Sequence, residues 1–290
     1  MHAARLNVAA AWKKLGIIAG GGDLPVRIAE YCQSESRDYF VSRIAGMAAQ
    51  ALSAHPGADT DLDKMGARFE TLHGAGCDAV VLVGQVRRPD FSRFAPDAKT
   101  IEMLPRILAA AGQGDDALLR ALIAECERDG FRVVGAEEVL AGLLMPSGVL
   151  GAHAPDAGAL KDIAKAAKIA AALGALDVGQ GAVVANNLAL AVEAQEGTDA
   201  MLARVATLPV ELRGTEQAPR GVLVKRAKPT QDRRIDLPVI GVATIEGAAR
   251  AGLAGVAGEA GGVLVVDKPA VAARADALGL FVYGFAPDTP

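Results

Sequence analysis

LGIIAGGGDLP (residues 15–25) predicts a buried β-strand that runs into a glycine turn and then into a helix. A second strand is predicted within YFVSRIAG (residues 39–46). A third, buried strand is predicted at residues 79–83, where AVVLV ends in the polar run GQVRR. Helices are predicted between and after these strands, and FRVVGAEEVL (residues 131–140) adds a further strand and a short helix. Strands that alternate with helices form parallel sheets, so this part of the sequence predicts an α/β fold.

The composition indicates a folded α/β protein of two domains. Of the 290 residues, 51% are hydrophobic and 4% are aromatic, and the length suits two ordinary domains. The net charge of −4 argues against nonspecific nucleic-acid binding. Cys32, Cys77 and Cys126 form no CxxC pair, which argues against a zinc site or disulfide framework and fits a reducing cytoplasm. No apolar run approaches the ~20 residues of a membrane span.

The glycine turn is the first candidate binding element. Its three glycines, including Gly21 and Gly22, let backbone N–H groups approach an anion at a helix start. Pro25 stands where a dinucleotide motif would have its third glycine, so a dinucleotide site is disfavoured. A tight turn without a ligand is the alternative. At the end of strand 79–83, Gln85 and Arg87 are candidates for a phosphate or uracil-type carbonyl, or they face water.

A change of composition divides the chain. Pro146 and Pro155 lie among glycines that interrupt any regular element, which predicts an N-terminal α/β domain at residues 14–145, a linker at 146–158 and a C-terminal domain at 159–287. The second domain opens with a predicted helix at residues 159–173. Two strands follow with Asn186 and Asn187 between them, a pair that tolerates the positive φ angles of a tight hairpin.

The strand after the hairpin leads to a polar turn. It carries Glu193 and then Glu196, Thr198 and Asp199 beside a glycine. Thr198 is predicted to cap a helix that begins at Asp199, so its hydroxyl and the free N–H groups could serve the helix or a bound phosphate.

GVLVKRAKPTQDRRIDLPVIG (residues 221–241) is the most informative stretch for function. A strand at residues 222–224 is followed by a predicted loop with Lys225, Lys228, Asp232 and Asp236, and a strand resumes at Val239. The lysines could neutralise phosphate oxygens, and the aspartates could hold a hard cation such as Mg²⁺. The alternative is a solvated loop with incidental salt bridges.

The remaining chemistry favours a phosphoanhydride. Neither a nucleophile-elbow serine nor a GxxxxGK[ST] loop is present. Carboxylates, amides and lysines accumulate on glycine-rich turns instead, an inventory that suits charge stabilisation on a transferring phosphoryl group. These residues are Gln180, Glu193, Thr198, Asp199, Lys225, Lys228, Asp232, Asp236 and Glu259.

Seven strings together carry a resemblance to a known family. In chain order they are IAGGGDLP, GQVRRPD, GDDALL, DVGQGAVV, AVEAQEGTDAML, KRAKPTQDRRIDLPVIG and GEAGG. They resemble the LpxI family of UDP-2,3-diacylglucosamine pyrophosphatases over roughly residues 15–285, most strongly at 177–262. The short strings are weak singly, whereas the long ones together are highly specific.

The resemblance implies hydrolysis of UDP-2,3-diacylglucosamine to UMP and 2,3-diacylglucosamine 1-phosphate in lipid A biosynthesis. It also implies Mg²⁺ dependence, delivery of water to the β-phosphorus, a Rossmann-like N-terminal domain, a C-terminal α/β domain of distinct topology, and substrate between them. The aspartate of the family's DLPxIG motif falls on Asp236. A cytoplasmic enzyme is expected, and a peripheral contact with the inner membrane and a homodimer stay open.

We therefore expect three sets of site residues. Asp236, Asp232 and Lys225 are the candidate catalytic residues, and Asp236 and Glu193 are the candidate Mg²⁺ ligands. The candidate substrate contacts are Gly21, Gly22, Gln85, Arg87, Gln180, Glu196, Thr198, Asp199 and Lys228. The alternative function is a nucleotide-sugar-binding or regulatory module without turnover.

Overall fold

The fold is known from a computed structural model that describes residues 12–86, 94–140, 142–229, 234 and 237–287. The chain forms two compact units, Met1–Leu140 and Ala141–Pro290. No helix within the described ranges is long and apolar enough to cross a membrane.

The N-terminal unit is a five-stranded α/β sheet. Its elements are β1 (Leu15–Ala19), α1 (Leu24–Ser34), β2 (Tyr39–Ile44), a short 3₁₀ helix (Gln50–Ala54), β3 (Gly57–Thr60), α2 (Met65–Gly74), β4 (Ala79–Val83), α3 (Ala98–Ala111), α4 (Asp115–Arg128), β5 (Arg132–Val133) and α5 (Ala136–Val139). The strand order is β3-β2-β1-β4-β5, and every pairing is parallel. The predicted parallel α/β fold is confirmed.

The first βα unit forms as its residue pattern predicts. All five residues of β1 are buried, as expected for the central strand of a parallel sheet. Pro25 lies in the first turn of α1, where its missing N–H leaves no bond unmade. Ile28, Ala29 and Cys32 recur at helical spacing and form the buried face of α1.

The helices α3 and α4 begin with different capping residues. Asp97 caps α3, because its Oδ1 accepts a hydrogen bond from the Thr100 N–H at 2.8 Å. Helix α4 instead begins at Asp115 itself, with Gly114 at the capping position. Asp115 and Asp116 both lie in the first turn of α4, where negative charge is favourable.

The C-terminal unit has a different topology. Its elements are β6 (Gly148–Val149), α6 (Ala157–Ala175), β7 (Gly181–Ala185), β8 (Leu188–Val192), α7 (Gly197–Ala206), α8 (Val210–Arg213), β9 (Val222–Lys225), β10 (Val239–Ile240), α9 (Val242–Arg250), β11 (Gly255–Glu259), β12 (Leu264–Val265), α10 (Lys268–Ala277) and β13 (Phe281–Phe285). A mixed six-stranded sheet has the order β6-β13-β11-β9-β7-β8, and β10 pairs with β12 separately. The prediction of a distinct second α/β domain is confirmed.

Helices cover both faces of the six-stranded sheet. On one face, Ile163 and neighbouring alanines of α6 pack with Val222, Val224 and Phe281. On the other face, Leu223 packs with apolar residues of α7, α9 and α10, among them Met201 and Ile245. Successive residues of β9 point to opposite faces of the sheet. Because helices cover both faces, every residue of the run from 222 to 224 is apolar.

Part of the segment expected to be a linker belongs to the C-terminal sheet. Gly148 and Val149 pair antiparallel with Gly284 and Tyr283 of β13. Met145 lies in the core of the same unit. Such a two-residue strand among glycines and prolines has no sequence signal of its own, since its pairing with β13 crosses more than a hundred residues.

Candidate functional site

One edge of the C-terminal sheet gathers most of the polar residues singled out above. Strands β8, β9 and β11 end at this edge, and the antiparallel strand β7 begins there. The edge therefore carries Gln180 before β7, Glu193 after β8, Lys225 at the end of β9 and Glu259 at the end of β11. The carboxyl ends of strands are where α/β sheets place ligand contacts.

Lys225 is buried at this edge. It is the last residue of β9 and only 5% exposed, which corrects the expectation that it lies in the following loop. Its Nζ donates to the Thr198 Oγ1 at 2.8 Å and to the Val239 carbonyl at 3.1 Å. A buried ammonium group is stable only with such partners, so its position is closely defined.

Glu193 is the buried carboxylate of the edge. It is 6% exposed, and its Oε1 accepts a hydrogen bond from the Thr198 hydroxyl at 2.8 Å. Its Oε2 is buried and has no hydrogen-bond partner among the described residues. A Cβ at position 181 would lie 2.4 Å from this oxygen, so a side chain there would displace the carboxylate from its present position.

Thr198 links these two groups rather than capping a helix. Helix α7 begins at Gly197 with Glu196 at the capping position, and no side chain caps it. The prediction that Thr198 caps a helix starting at Asp199 is therefore wrong, and Asp199 lies in the first turn. Gly197 has a φ of 77°, a left-handed conformation that glycine adopts without strain, at the point where the chain turns into α7.

The Glu196 side chain is paired with a residue of α7. Its Oε1 accepts a hydrogen bond from the Arg204 Nη2 at 2.8 Å. A hydrogen bond from its own backbone N–H and the Arg204 guanidinium lower the pKa of Glu196. The side chain is therefore an anion at neutral pH, held by a neighbour on its own helix.

Two ion pairs extend the edge and were not predicted from the sequence. Lys228 Nζ lies 2.6 Å from Asp177 Oδ1, with 9% of the lysine side chain exposed. Arg226 Nε lies 2.5 Å from Glu259 Oε2. The two acidic partners lie about 30 to 50 residues away in sequence, so spacing along the chain could not reveal them. The sequence left both a phosphate contact and a salt bridge open for Lys228, and the structure shows an ion pair with Asp177.

The glycine turn of the N-terminal unit is largely closed on itself. The Gly20 N–H donates to the Val83 carbonyl, and Gly21 and Gln85 exchange two hydrogen bonds of 2.8 and 2.9 Å. Two of the three glycine N–H groups are thus engaged within the backbone, which corrects the expectation that all three face a ligand. A Cβ on Gly84 would lie 2.6 Å from the Gly21 carbonyl oxygen, so close backbone approach explains the glycines here. Gly22 is exposed, with a φ of 89°.

Comparison with known proteins identifies the family. Residues 14–143 match the LpxI N-terminal domain, and residues 146–283 match the LpxI C-terminal domain. The chain belongs to the LpxI family. A relative from Caulobacter vibrioides, named UDP-2,3-diacylglucosamine pyrophosphatase LpxI, is 52% identical over 275 residues, which are 95% of this chain and 98% of the relative. The resemblance seen in the sequence motifs is confirmed.

Three residues expected in the LpxI site are outside the described part of the chain. They are Arg87, Asp232 and Asp236. The described chain stops at position 229 after Lys225 and Lys228 and resumes continuously at Leu237, immediately before β10. Asp236 therefore directly precedes a described residue, and Val239, which binds the Lys225 ammonium, is three positions further on.

The described residues offer oxygen atoms that suit a hard cation. No cluster of three or more His, Cys, Asp or Glu side chains occurs within the described ranges. At this edge of the C-terminal sheet, two buried side-chain oxygens nevertheless lack hydrogen-bond partners among the described residues, Glu193 Oε2 and Gln180 Oε1. Carboxylate and amide oxygens are the ligand types that Mg²⁺ accepts, so the chemistry of this edge fits the cation that the LpxI resemblance implies.

Proposed function

We propose that this chain hydrolyses the pyrophosphate of UDP-2,3-diacylglucosamine in the cytoplasm, releasing UMP and 2,3-diacylglucosamine 1-phosphate for lipid A biosynthesis. The observation that carries the proposal is the 52% identity to the Caulobacter vibrioides pyrophosphatase over 95% of the chain. The site supports it, because a buried lysine and a buried carboxylate at one sheet edge are suited to phosphoanhydride chemistry.

In the proposed reaction, water attacks the β-phosphorus of the UDP group. The new bond joins the water oxygen to that phosphorus, and the bond from the phosphorus to the bridging oxygen breaks. The bridging oxygen leaves with UMP, and the water oxygen remains in the sugar phosphate. Catalysis of such a step depends on placing the water and stabilising charge on the phosphate oxygens.

The residues divide these tasks. The Lys225 ammonium is held by Thr198 and Val239, so it presents a fixed positive charge for phosphate oxygens without reorganisation. Asp236, with Asp232 near it in sequence, is proposed to place the attacking water. Glu193 and Asp236 would hold Mg²⁺, which when bound supplies further neutralisation of phosphate charge.

The remaining proposed substrate contacts come from residues of each unit. Gln180, Asp199 and Lys228 belong to the C-terminal unit, and Gly22 is an exposed residue of the glycine turn in the N-terminal unit. Helix starts favour anions, which supports contacts between these turns and phosphate or uracil groups.

The test is turnover of UDP-2,3-diacylglucosamine dispersed in detergent, followed by chromatography of UMP and the glycolipid phosphate. We expect product with Mg²⁺ and its loss with a chelator, with recovery on adding Mg²⁺ back. In water enriched in ¹⁸O, the label should enter the sugar phosphate and not UMP. Label in UMP would place the attack on the α-phosphorus instead.

Two outcomes would change the proposal. Tight binding of the substrate without product, at every metal concentration, would favour a nucleotide-sugar-binding or regulatory module. Turnover that is insensitive to the chelator would remove Mg²⁺ from the mechanism while leaving the hydrolase standing.

A further inference from the structure

The Thr198 hydroxyl lies between two buried charges. It is 2.8 Å from the Glu193 Oε1 and 2.8 Å from the Lys225 Nζ. A hydroxyl has one proton, and an ammonium group has donors only. The proton of Thr198 must therefore point to Glu193, and the oxygen accepts from Lys225. With its proton used in this way, Thr198 has none left to donate to a phosphate oxygen.

The three residues come from different elements. Glu193 follows β8, Thr198 lies in the first turn of α7, and Lys225 ends β9. Val239 of β10 accepts a second hydrogen bond from Lys225, so the ammonium is held from two directions. The hydroxyl also keeps the carboxylate one group away from the ammonium. Two charges so placed would otherwise attract each other directly in a site of low dielectric.

We propose that Thr198 is a positioning residue that acts through Lys225 and Glu193, rather than a direct substrate contact. This inference rests on the proposed function for its effect on turnover. Removing the hydroxyl lets Lys225 move toward Glu193 or away from it, and either shift displaces the positive charge from the reacting phosphate. Misplacement on the scale of 1 Å is costly for turnover.

The kinetic test compares Thr198→Val with Thr198→Ser. Valine preserves the shape of threonine without the hydroxyl, and we expect kcat to fall about 10- to 100-fold with KM within about threefold of the parent. Serine keeps the hydroxyl and should restore most of the lost activity. The matched control is Thr207→Val at the other end of α7, where the hydroxyl donates to the Arg204 carbonyl at 2.7 Å and touches neither charge.

Two kinetic results would overturn the inference. One is a Thr198→Val protein with a kcat within about twofold of the Thr207→Val control. The other is a rise in KM with kcat unchanged, which would show that Thr198 contributes to substrate binding itself. If valine prevents folding, Thr198→Ala removes the same hydroxyl without a branched apolar group and replaces it in the comparison.

A second measurement tests positioning without any turnover. Lys225 is buried, so acetic anhydride should acetylate it slowly in the parent, as read by peptide mass spectrometry. We expect labelling of Lys225 to rise several-fold in Thr198→Val, because the ammonium loses its hydrogen bond to the Thr198 hydroxyl. In Thr198→Ser, which keeps a hydroxyl, labelling should return toward the parent rate. Exposed Lys161 serves as the internal reference in each protein.

The two readouts separate failure of this inference from failure of the proposed function. If the parent does not hydrolyse the substrate, the labelling still decides whether Thr198 fixes Lys225. Unchanged labelling of Lys225 in the folded valine variant would overturn the positioning role even if the parent is an active hydrolase.

Discussion

The Lys225 ammonium occupies a site where only 5% of the residue meets solvent. Moving an ion of this kind out of water costs several kcal/mol, and this cost is offset only by well-placed hydrogen bonds. Thr198 and Val239 supply two of them. An apolar residue at this position would stabilise the core of the sheet at lower cost, and this supports the proposed role of Lys225 in the site.

Asp236 is the residue on which the proposed chemistry depends most. Replacing Asp236 by Ala should lower kcat by about 10²-fold or more, the scale for losing a positioned general base or a charge-stabilising group. The midpoint of thermal unfolding should stay close to that of the parent, because a carboxylate that faces substrate buries little apolar surface. Turnover and differential scanning calorimetry measure the two quantities.

The control for this substitution is Glu216→Ala, which removes an exposed carboxylate from a loop of the same unit. It should leave both turnover and stability unchanged. An Asp236→Ala protein that folds and turns over within about threefold of the parent would remove this aspartate from the mechanism. One that no longer folds would assign it a structural role.

The pairing of α3 with α4 depends on a buried glutamate. Glu125 is 1% exposed, and it accepts hydrogen bonds from the Arg106 Nε at 2.6 Å and the Arg106 Nη2 at 3.0 Å. Hydrogen bonding to the Arg106 guanidinium lowers the pKa of Glu125. A lowered pKa in the folded state means that the carboxylate form stabilises the fold.

This shift predicts the acid sensitivity of the helix pair. The contribution of Glu125 is complete above the pKa of an unfolded glutamate and is lost as pH falls through its lower pKa in the folded state, below about pH 4.5. Glu125→Gln should therefore reduce the free energy of unfolding at neutral pH by about 1–3 kcal/mol and flatten its dependence on acid. Urea denaturation between neutral and acidic pH measures both effects.

Glu102→Gln is the matched control, because Glu102 lies 3.5 Å from the same Arg106 but its side chain is 64% exposed. Exposed pairs contribute about 0–1 kcal/mol, so this change should be nearly silent. Equal losses in the two variants would show that burial of Glu125 is not what makes its pair strong.

The β7–β8 hairpin is held at its turn by a helix. Asn186 and Asn187 have φ angles of 49° and 61°, as their predicted turn requires. Buried Asp162 of α6 accepts hydrogen bonds from both of their N–H groups, at 3.0 and 2.6 Å. This carboxylate therefore replaces the partners that the turn amides would otherwise find in water.

Asp162→Ala should lower the free energy of unfolding by about 2–3 kcal/mol, since it leaves two N–H groups without a charged acceptor. Turnover per folded molecule should be unchanged, because the turn lies at the opposite end of β7 from Gly181. Asp156→Ala, which removes only the N-cap of the same helix, should cost about 1 kcal/mol. A loss of turnover in Asp162→Ala without loss of folded protein would contradict this separation.

At the scale of the whole molecule, the stability of fragments tests at which residue the C-terminal unit begins. Met145 is buried in its core, and β6 covers one edge of its sheet. A fragment of residues 141–290 should therefore unfold cooperatively in urea. The free energy of unfolding of a fragment of residues 159–290 should be lower than that of the 141–290 fragment by about 2–5 kcal/mol, the scale for removing one large core side chain.

Circular dichroism of both fragments, with the full chain as control, measures this difference. Equal stability of the two fragments would mean that residues 141–158 contribute nothing to the fold and behave as a linker. Failure of the longer fragment to fold, with the full chain intact, would show that the C-terminal unit needs the rest of the protein.

Short stretches of the sequence were sufficient to predict much of the fold and the family of this protein. The buried runs and glycine turns predicted the parallel α/β unit, the Asn186-Asn187 pair predicted the hairpin, and the motif strings indicated the LpxI family. Each of these features depends on backbone conformation, on strand or helix periodicity, or on contiguous strings of residues. Such signals are complete within a short stretch of chain.

Only the tertiary structure decided how the polar groups meet. Thr198 and Lys225 lie 27 residues apart and come together because β8 and β9 flank β7 and end at the same edge of the sheet. Lys228 pairs with Asp177 across 51 residues, and β6 pairs with β13 across more than a hundred. Hydrogen bonds and ion pairs depend on distance in space, so a one-dimensional pattern carries no record of them until the strand order is known.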